Sequence, residues 1–341
     1  MNWKSVCCTA LLCVVAALTQ RDLCSQTPDA REQLLSLAKA NSLDIEGIKP
    51  WHLRMTFQLY DLAGKPSDTG TIEEWWVSPK ERRLEIKSSS YNLTIPWKSD
   101  SSAPARNRES YLVNQLLDQI VHPIPDYKDF SGLSVKEQSR KFGKTELSCI
   151  SVGRSDIKYS ASSPAPQFCF DPGTTLLRAH LDIAWFGAVR NNMVTFRGIT
   201  LGQDNTLAYS GRTAITGHLE LLQGFQPDAS IVLSKSTADI PAKIPGVVLA
   251  GKLLKKETPE YPVYARQNHI SGTVVLCATI TKQGTIDALD VVSTPDGSLS
   301  ASALDAVKRW KYQPYILDGA PTEVDATITV NYAITGISSS L

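Results

Sequence analysis

The side chains able to do chemistry are few and scattered. His52, His122, His180, His218 and His269 stand far apart, and none has metal-ligand spacing from another. Glu73 and Glu74 are adjacent carboxylates in a strand-like stretch, so they point to opposite faces. Glu74 reads as surface; Glu73 is at best a weak functional candidate. No Gly-rich phosphate loop, G-x-S-x-G elbow, H-E-x-x-H or C-x-x-C occurs. The sequence therefore predicts no catalytic residue, no metal and no cofactor. Thiol chemistry remains. Cys7, Cys8, Cys13 and Cys24 fall in an export-like N-terminal segment, leaving Cys149, Cys169 and Cys277. In an oxidising compartment Cys149 in "LSCISV" and Cys169 in "QFCFD" can pair as a disulfide. Two independent buried thiols are the alternative. Cys277 is left odd and reads as a small packed hydrophobe.

The elements that would position these residues begin after a leader. Lys4 precedes the apolar run Val6–Leu18, which Arg21 and Asp22 close. The run suits a signal peptide and falls short of a bilayer span of about 20 residues. Residues 1–26 are expected to be an export signal, with an uncleaved short anchor as the alternative. The chain of 341 residues has room for two domains with real cores. Its 35 Lys and Arg against 34 Asp and Glu give no broad field for nucleic acid.

Thr27–Pro28 opens a helix over 27–41 with Ala30, Leu34, Leu37 and Ala38 on one face. Alternation predicts strands at 51–61, 70–78 and 82–89. A second helix, 109–121, carries Leu112, Val113, Leu116, Leu117 and Ile120. Strands at 145–152, 166–170, 174–183, 193–201 and 212–222 follow. Many adjoining strands with two helices predict an α+β unit over 27–224: one curved antiparallel half-barrel sheet wrapping a helix. Pro227, Pro241, Pro245 and Gly246 punctuate a linker, 225–257.

A compact second domain, 258–335, reads αββαβ, with a tail at 336–341. "YPVYARQN" is a short helix, "GTVVLCATI" (272–280) a strand, Gln283–Gly284 a turn and "TIDALDVVS" (285–293) the partner strand. A helix through "ALDAVKRWKYQP" (303–314), capped by Ser298 or Ser300, precedes the last strand, 323–332. In that strand Val324, Ala326, Ile328, Val330 and Tyr332 alternate with Asp325, Thr327, Thr329 and Asn331. The pattern describes a three-stranded sheet buried on one face under its helices. Trp310 is expected between helix and sheet, and Tyr312 stays open between core and surface.

"PEYPVYAR", "GTVVLCATITKQGTI" and "ALDAVKRWKYQP", in that order, resemble the C-terminal domain of the TonB family over roughly 255–335. The resemblance implies a periplasmic, non-enzymatic protein that binds an extended peptide, the TonB box of an outer-membrane transporter or another envelope protein, by strand addition. Val324, Asp325, Ala326, Thr327, Ile328, Thr329, Val330, Asn331 and Tyr332 would be the docking edge. Glu257, Thr258, Pro259, Glu260 and Tyr261 would lie near the partner. An open edge also makes a homodimer conceivable. The chain departs from an energy transducer of that family: it has no long Pro-rich spacer, and a folded front domain stands in its place. That front domain resembles, in element order alone, the LolA-like periplasmic lipoprotein carriers. This resemblance implies a lipid or acyl ligand, with Phe57, Trp75 and Trp76 lining its site; plain core aromatics are the alternative. The second functional reading is therefore a lipid or lipoprotein carrier with the rear domain as accessory.

Overall fold

The computed structural model describes residues 30–79, 81–95, 105–125, 127, 132–154, 159, 165–182, 186–227, 242–243, 253–317, 319–334 and 336–340. The expected signal at 1–26, most of the 225–257 linker and the last residue of the tail lie outside the described residues.

Helix α1 (Ala30–Ala40) is followed by β1 (Trp51–Tyr60), β2 (Pro66–Ser78), β3 (Glu81–Ser88), β4 (Leu93–Ile95) and helix α2 (Arg108–Val121). A meander follows: β5 (Leu133–Phe142), β6 (Thr145–Arg154), β7 (Gln167–Phe170), β8 (Leu177–Asp182), β9 (Phe186–Phe196), β10 (Ile199–Tyr209) and β11 (Arg212–Gly224). These strands form one open, curved sheet of 11, ordered β4-β3-β2-β1-β11-β10-β9-β8-β7-β6-β5. Every neighbour pairing within it is antiparallel.

Both helices cover one face. α2 is held by a reciprocal cap: Ser110 N–H donates to Asn107 Oδ1 at 3.0 Å and Asn107 N–H to Ser110 Oγ at 3.1 Å. Its Leu112, Leu116 and Ile120 then pack against Met55, Phe57, Ile72 and Ile215 in the main core. α1 buries Leu34 and Leu37 among Ile150, Val152 and Phe168. On the other face, Cys149 and Cys169 are cross-strand partners on β6 and β7 and form a disulfide.

Three local readings change. The stretch 193–201 is two strands, because Arg197 (φ 52°) and Gly198 (φ 83°) make a two-residue hairpin with Phe196 facing Ile199. Strand β5, "LSVKEQSRKF", was hidden by its charges; it is an edge strand, where Lys and Glu guard against unwanted pairing. The helix containing Ala303 starts earlier and stops sooner than its composition suggests.

Behind the linker come β12 (Ala242–Lys243), β13 (Leu253–Lys255), α3 (Val263–Gln267), β14 (Gly272–Ile280), β15 (Ile286–Ser293) and α4 (Gly297–Val307). The remaining elements are β16 (Lys311–Tyr312), β17 (Tyr315–Leu317), β18 (Ala320–Thr322), β19 (Val324–Ala333) and β20 (Gly336–Ser340). β15, β14 and β19 form the predicted antiparallel core, but the sheet has five strands rather than three, since β12 and β20 both join β19. Asp296, not Ser298 or Ser300, caps α4, accepting from Ser298 N–H at 2.8 Å.

Candidate functional site: the edge and faces of the C-terminal sheet

Strand β19 meets a different neighbour in each direction. Val324, Ala326, Ile328 and Val330 pack with Leu299, Ala303 and Val307 of α4, so the helix covers the expected face. Trp310 is buried there and its indole donates to Glu257 O at 2.8 Å. Tyr312 resolves to core: it is buried, and its N–H donates to Gly284 O at 2.7 Å. Gly284 has φ 78°, and a Cβ there would stand 1.9 Å from Tyr312 O, so turn and strand close only on glycine. Lys311 lies on β16, paired with β13, and Lys308 stands at the α4 C-cap.

The second face of the sheet is not wet, as alternation implied, but buried against the front sheet and α2. Val275, Cys277 and Val292 belong to the same core as Tyr111, Leu112 and Tyr209. Tyr111 Oη lies 2.7 Å from Thr327 Oγ1 and receives a hydrogen bond from Tyr209 at 3.1 Å. Asp325 accepts from Ala105 N–H at 3.2 Å, and Asp290 from Arg108 N–H at 2.9 Å. Arg108 also donates through Nε to Val292 O at 3.0 Å, and burial lowers its pKa from the ordinary guanidinium value. Around this junction Arg106 pairs with Asp287 at 3.1 Å. Cys277 sits in the same contact, and burial pushes its thiol well up, which makes it inert.

The edge itself corrects a central expectation. β19 is not an open margin: β20 lies antiparallel along Thr329–Ala333, and β12 lies parallel along Val324–Asp325. Among the described residues, Ala326, Thr327 and Ile328 have a strand partner on the β14 side only. The reason is local. β20 follows β19 closely in the chain, with Gly336 facing Ala333, and the unpaired N–H and C=O groups of a bare edge are satisfied by the nearest strand.

The segment before α3 divides in two. Pro259 and Tyr261 are buried; Tyr261 stacks edge-on to Tyr332 and donates its hydroxyl to Ile270 O at 2.8 Å. Thr258 and Glu260 are exposed and line an open groove of about 470 Å³ with Pro262, Ser302, Asp305 and Arg309. Glu257 pairs with Lys255 at 2.9 Å.

In the front sheet the proposed lipid-lining trio comes apart. Phe57 and Trp76 lie in the packed core, Trp76 parallel to Trp51 at 5.7 Å and bonded to Asp44 at 2.9 Å. Trp75 lies on the opposite face, stacked on His52 at 4.7 Å with Arg83 over it. Adjacent strand residues cannot line one pocket. The carboxylates are reversed as well. Glu73 is outward and 2.7 Å from His52, whereas Glu74 is fully buried beside Arg82 at 3.5 Å. Burial, reinforced by Asp44 and opposed by Arg82, raises the Glu74 carboxyl to about 7. Its position two residues from both Ile72 and Trp76 was the legible signal. Among the described residues no group of three or more potential metal ligands occurs, and no helix is long and apolar enough to cross a membrane.

Residues 257–334 match the family described as Gram-negative bacterial TonB protein C-terminal. Protein TonB of Vibrio cholerae is 37% identical over 79 residues, which is 23% of this chain and 32% of that one. Protein TonB of Escherichia coli is 26% identical over 87 residues, 25% of this chain and 36% of that one. The chain thus spans about a third of the length of the curated relatives it matches. Among solved structures, a LolA superfamily protein from Nitrosomonas europaea aligns over 60% of this chain and 97% of its own, with a TM-score of 0.37 and 4% identity. An outer membrane lipoprotein-sorting protein domain from Vibrio parahaemolyticus aligns over 57% and 93%, with a TM-score of 0.36 and 10% identity. Over β14, β15, α4 and β19, the unit whose edge and faces are described above, the chain is similar to the C-terminal part of Gram-negative TonB proteins.

Proposed function

We propose that this is a non-enzymatic cell-envelope protein, exported to the periplasm, whose C-terminal sheet takes an extended peptide of an envelope partner along β19 in exchange for its own β20. The observation that supports the reading is the position of β20: the chain itself already adds an antiparallel strand along Thr329–Ala333. Backbone pairing of this kind carries little sequence information, so a partner strand of suitable length can replace it. Because α4 covers one face of β19 and α2 contacts the other through Tyr111 and Thr327, the edge is the surface left for recognition. Peptide residues past the exchanged segment would run toward Ala326–Ile328.

Fluorescence anisotropy of a labelled TonB-box peptide tests this, with the full chain compared with one ending at Thr335. The shortened chain should bind more tightly, since no internal strand competes. Absence of binding by both chains refutes the reading. Equal binding by both places the contact elsewhere and refutes the exchange.

A second reading, a carrier of lipid or lipoprotein in the front sheet, draws support from the open curved sheet with two helices on one face. It requires α2 to move, because Phe57 and Trp76 are packed beneath that helix's core. Mass spectrometry of the protein purified from its native envelope separates the readings: a stoichiometric lipid supports the carrier, and an empty front unit removes it.

A further inference from the structure

Deep in the helix-covered face of the front sheet is a cationic side chain that nothing in the peptide-binding reading uses. Arg190 on β9 is 4% exposed. Its Nη2 donates to Gln119 O and to Gln119 Oε1, both at 2.8 Å, tying β9 to α2. Nη1 has no hydrogen-bond partner among the described residues. No carboxylate of a described residue pairs with the guanidinium, and burial lowers its pKa to about 9. A buried guanidinium that lacks a counter-charge is costly, of the order of several kcal/mol after relaxation.

Its surroundings are polar and incompletely satisfied. His180 is also buried; its Nδ1 lies 3.1 Å from Gln119 Nε2, and its own Nε2 has no hydrogen-bond partner among the described residues. Asp182 Oδ2 lies 3.9 Å from His180 Nε2, beyond hydrogen-bond reach. Asn205 donates to Gly202 O at 2.8 Å but leaves Oδ1 without a partner. A Cβ on Gly202 would stand 2.7 Å from Arg190 Cβ and 3.0 Å from Asn205 Oδ1, so both side chains cross the same point of β10. An aromatic row adjoins the cluster: Phe168 stacks on His180 at 4.4 Å, His180 meets Phe186 at 5.4 Å, and Phe186 meets Tyr209 at 5.1 Å.

We propose that Arg190 anchors a single oxyanion, a phosphate or carboxylate group, inside the front sheet, with Nη1 as the donor facing it. Arg190 Nη1 and His180 Nε2 are buried donors without a partner among the described residues, and an oxyanion accepts from such donors; Asn205 Oδ1 is itself an acceptor and is not satisfied by it. A water molecule can fill hydrogen bonds there but cannot neutralise the charge. The group can arrive free or as the head of an amphiphile whose chain lies along the aromatic row. The proposal is independent of strand exchange at β19, and neither result bears on the other.

Thermal unfolding of the full chain at constant ionic strength tests it, with inorganic phosphate in one arm and dodecyl phosphate in the other. The unfolding midpoint should rise with the logarithm of ligand concentration. In Arg190→Met, which replaces an unpaired buried charge by an apolar chain, the rise should vanish. A response to both ligands assigns a free oxyanion; a response to dodecyl phosphate alone assigns an amphiphile head. A second readout does not depend on the variant folding. Burial first, and the charge of Arg190 second, hold the His180 imidazole neutral, its pKa lowered to about 3. Burial keeps the imidazole neutral at slightly acidic pH, and an oxyanion bound beside Arg190 should shift its resonances through the new charge next to the ring. No midpoint shift with either ligand, or an equal shift in Arg190→Met, overturns the proposal. An unmoved His180 resonance at saturating ligand does so as well, leaving Arg190 as a strut between β9 and α2.

Discussion

Replacing Glu74 by Gln should change how stability depends on pH, and the size follows from one buried carboxyl. Glu74 has no exposed surface, one of its oxygens lacks a partner, and Arg82 stands 3.5 Å from the other. In the folded chain the group titrates at about 7, against 4.5 for the unfolded group. The folded pKa is the higher one, so the folded state binds the proton more tightly. The contribution of Glu74 to stability is then greatest below about 4.5, falls as pH rises between the two values, and is at its minimum above about 7. The difference between the two pKa values corresponds to a loss of roughly 3 kcal/mol across that window. Gln cannot ionise, so the variant should lack this slope. At pH 5 Glu74→Gln should differ from the parent by no more than about 1 kcal/mol, the worth of one altered hydrogen bond. At pH 8.5 the variant should be the more stable chain, by about 2–3 kcal/mol. Urea unfolding of both chains from pH 4.5 to 9, followed by tryptophan fluorescence from Trp51 and Trp76 nearby, reads this directly. A difference between the two chains that stays constant over the range would refute the reasoning and place Glu74 as an ion pair with Arg82 throughout.

Other outcomes follow from the same packing. Trp310→Ala should cost about 3–5 kcal/mol in denaturant unfolding, as for a buried aromatic, and Tyr312→Ala a similar amount. Tyr111→Phe removes the bonds to Thr327 and Tyr209 and should cost about 1–3 kcal/mol; limited proteolysis should then cut more readily between β11 and α3. Reducing the Cys149–Cys169 disulfide, which closes a loop of sequence separation 20, should lower stability by roughly 3 kcal/mol in chemical unfolding with and without reductant. Gly284→Ala should destabilise the rear sheet by more than about 1 kcal/mol, since the new methyl group meets Tyr312 O at a positive φ.

What the amino-acid order determined is local and periodic. Alternation set the faces of β14 and β19, and the period of Leu112, Leu116 and Ile120 set the buried stripe of α2. The spacing and strand context of Cys149 and Cys169 announced a covalent partner, and the ordered motifs around Tyr261, Gly284 and Trp310 announced the rear unit. Period alone says that two faces differ; it does not say what lies against each. Thr327 and Asp325 looked wet because they are polar, yet Tyr111 and the Ala105 amide satisfy them under cover. Glu74 looked superficial for the same reason, although its neighbours Ile72 and Trp76 share its face. The fate of the β19 edge was likewise undecided, because strand pairing depends on which backbone returns to it, and polar β20 carries no pattern that names a partner. Burial of a polar group is a statement about everything packed around it, and only the tertiary structure brings those neighbours together.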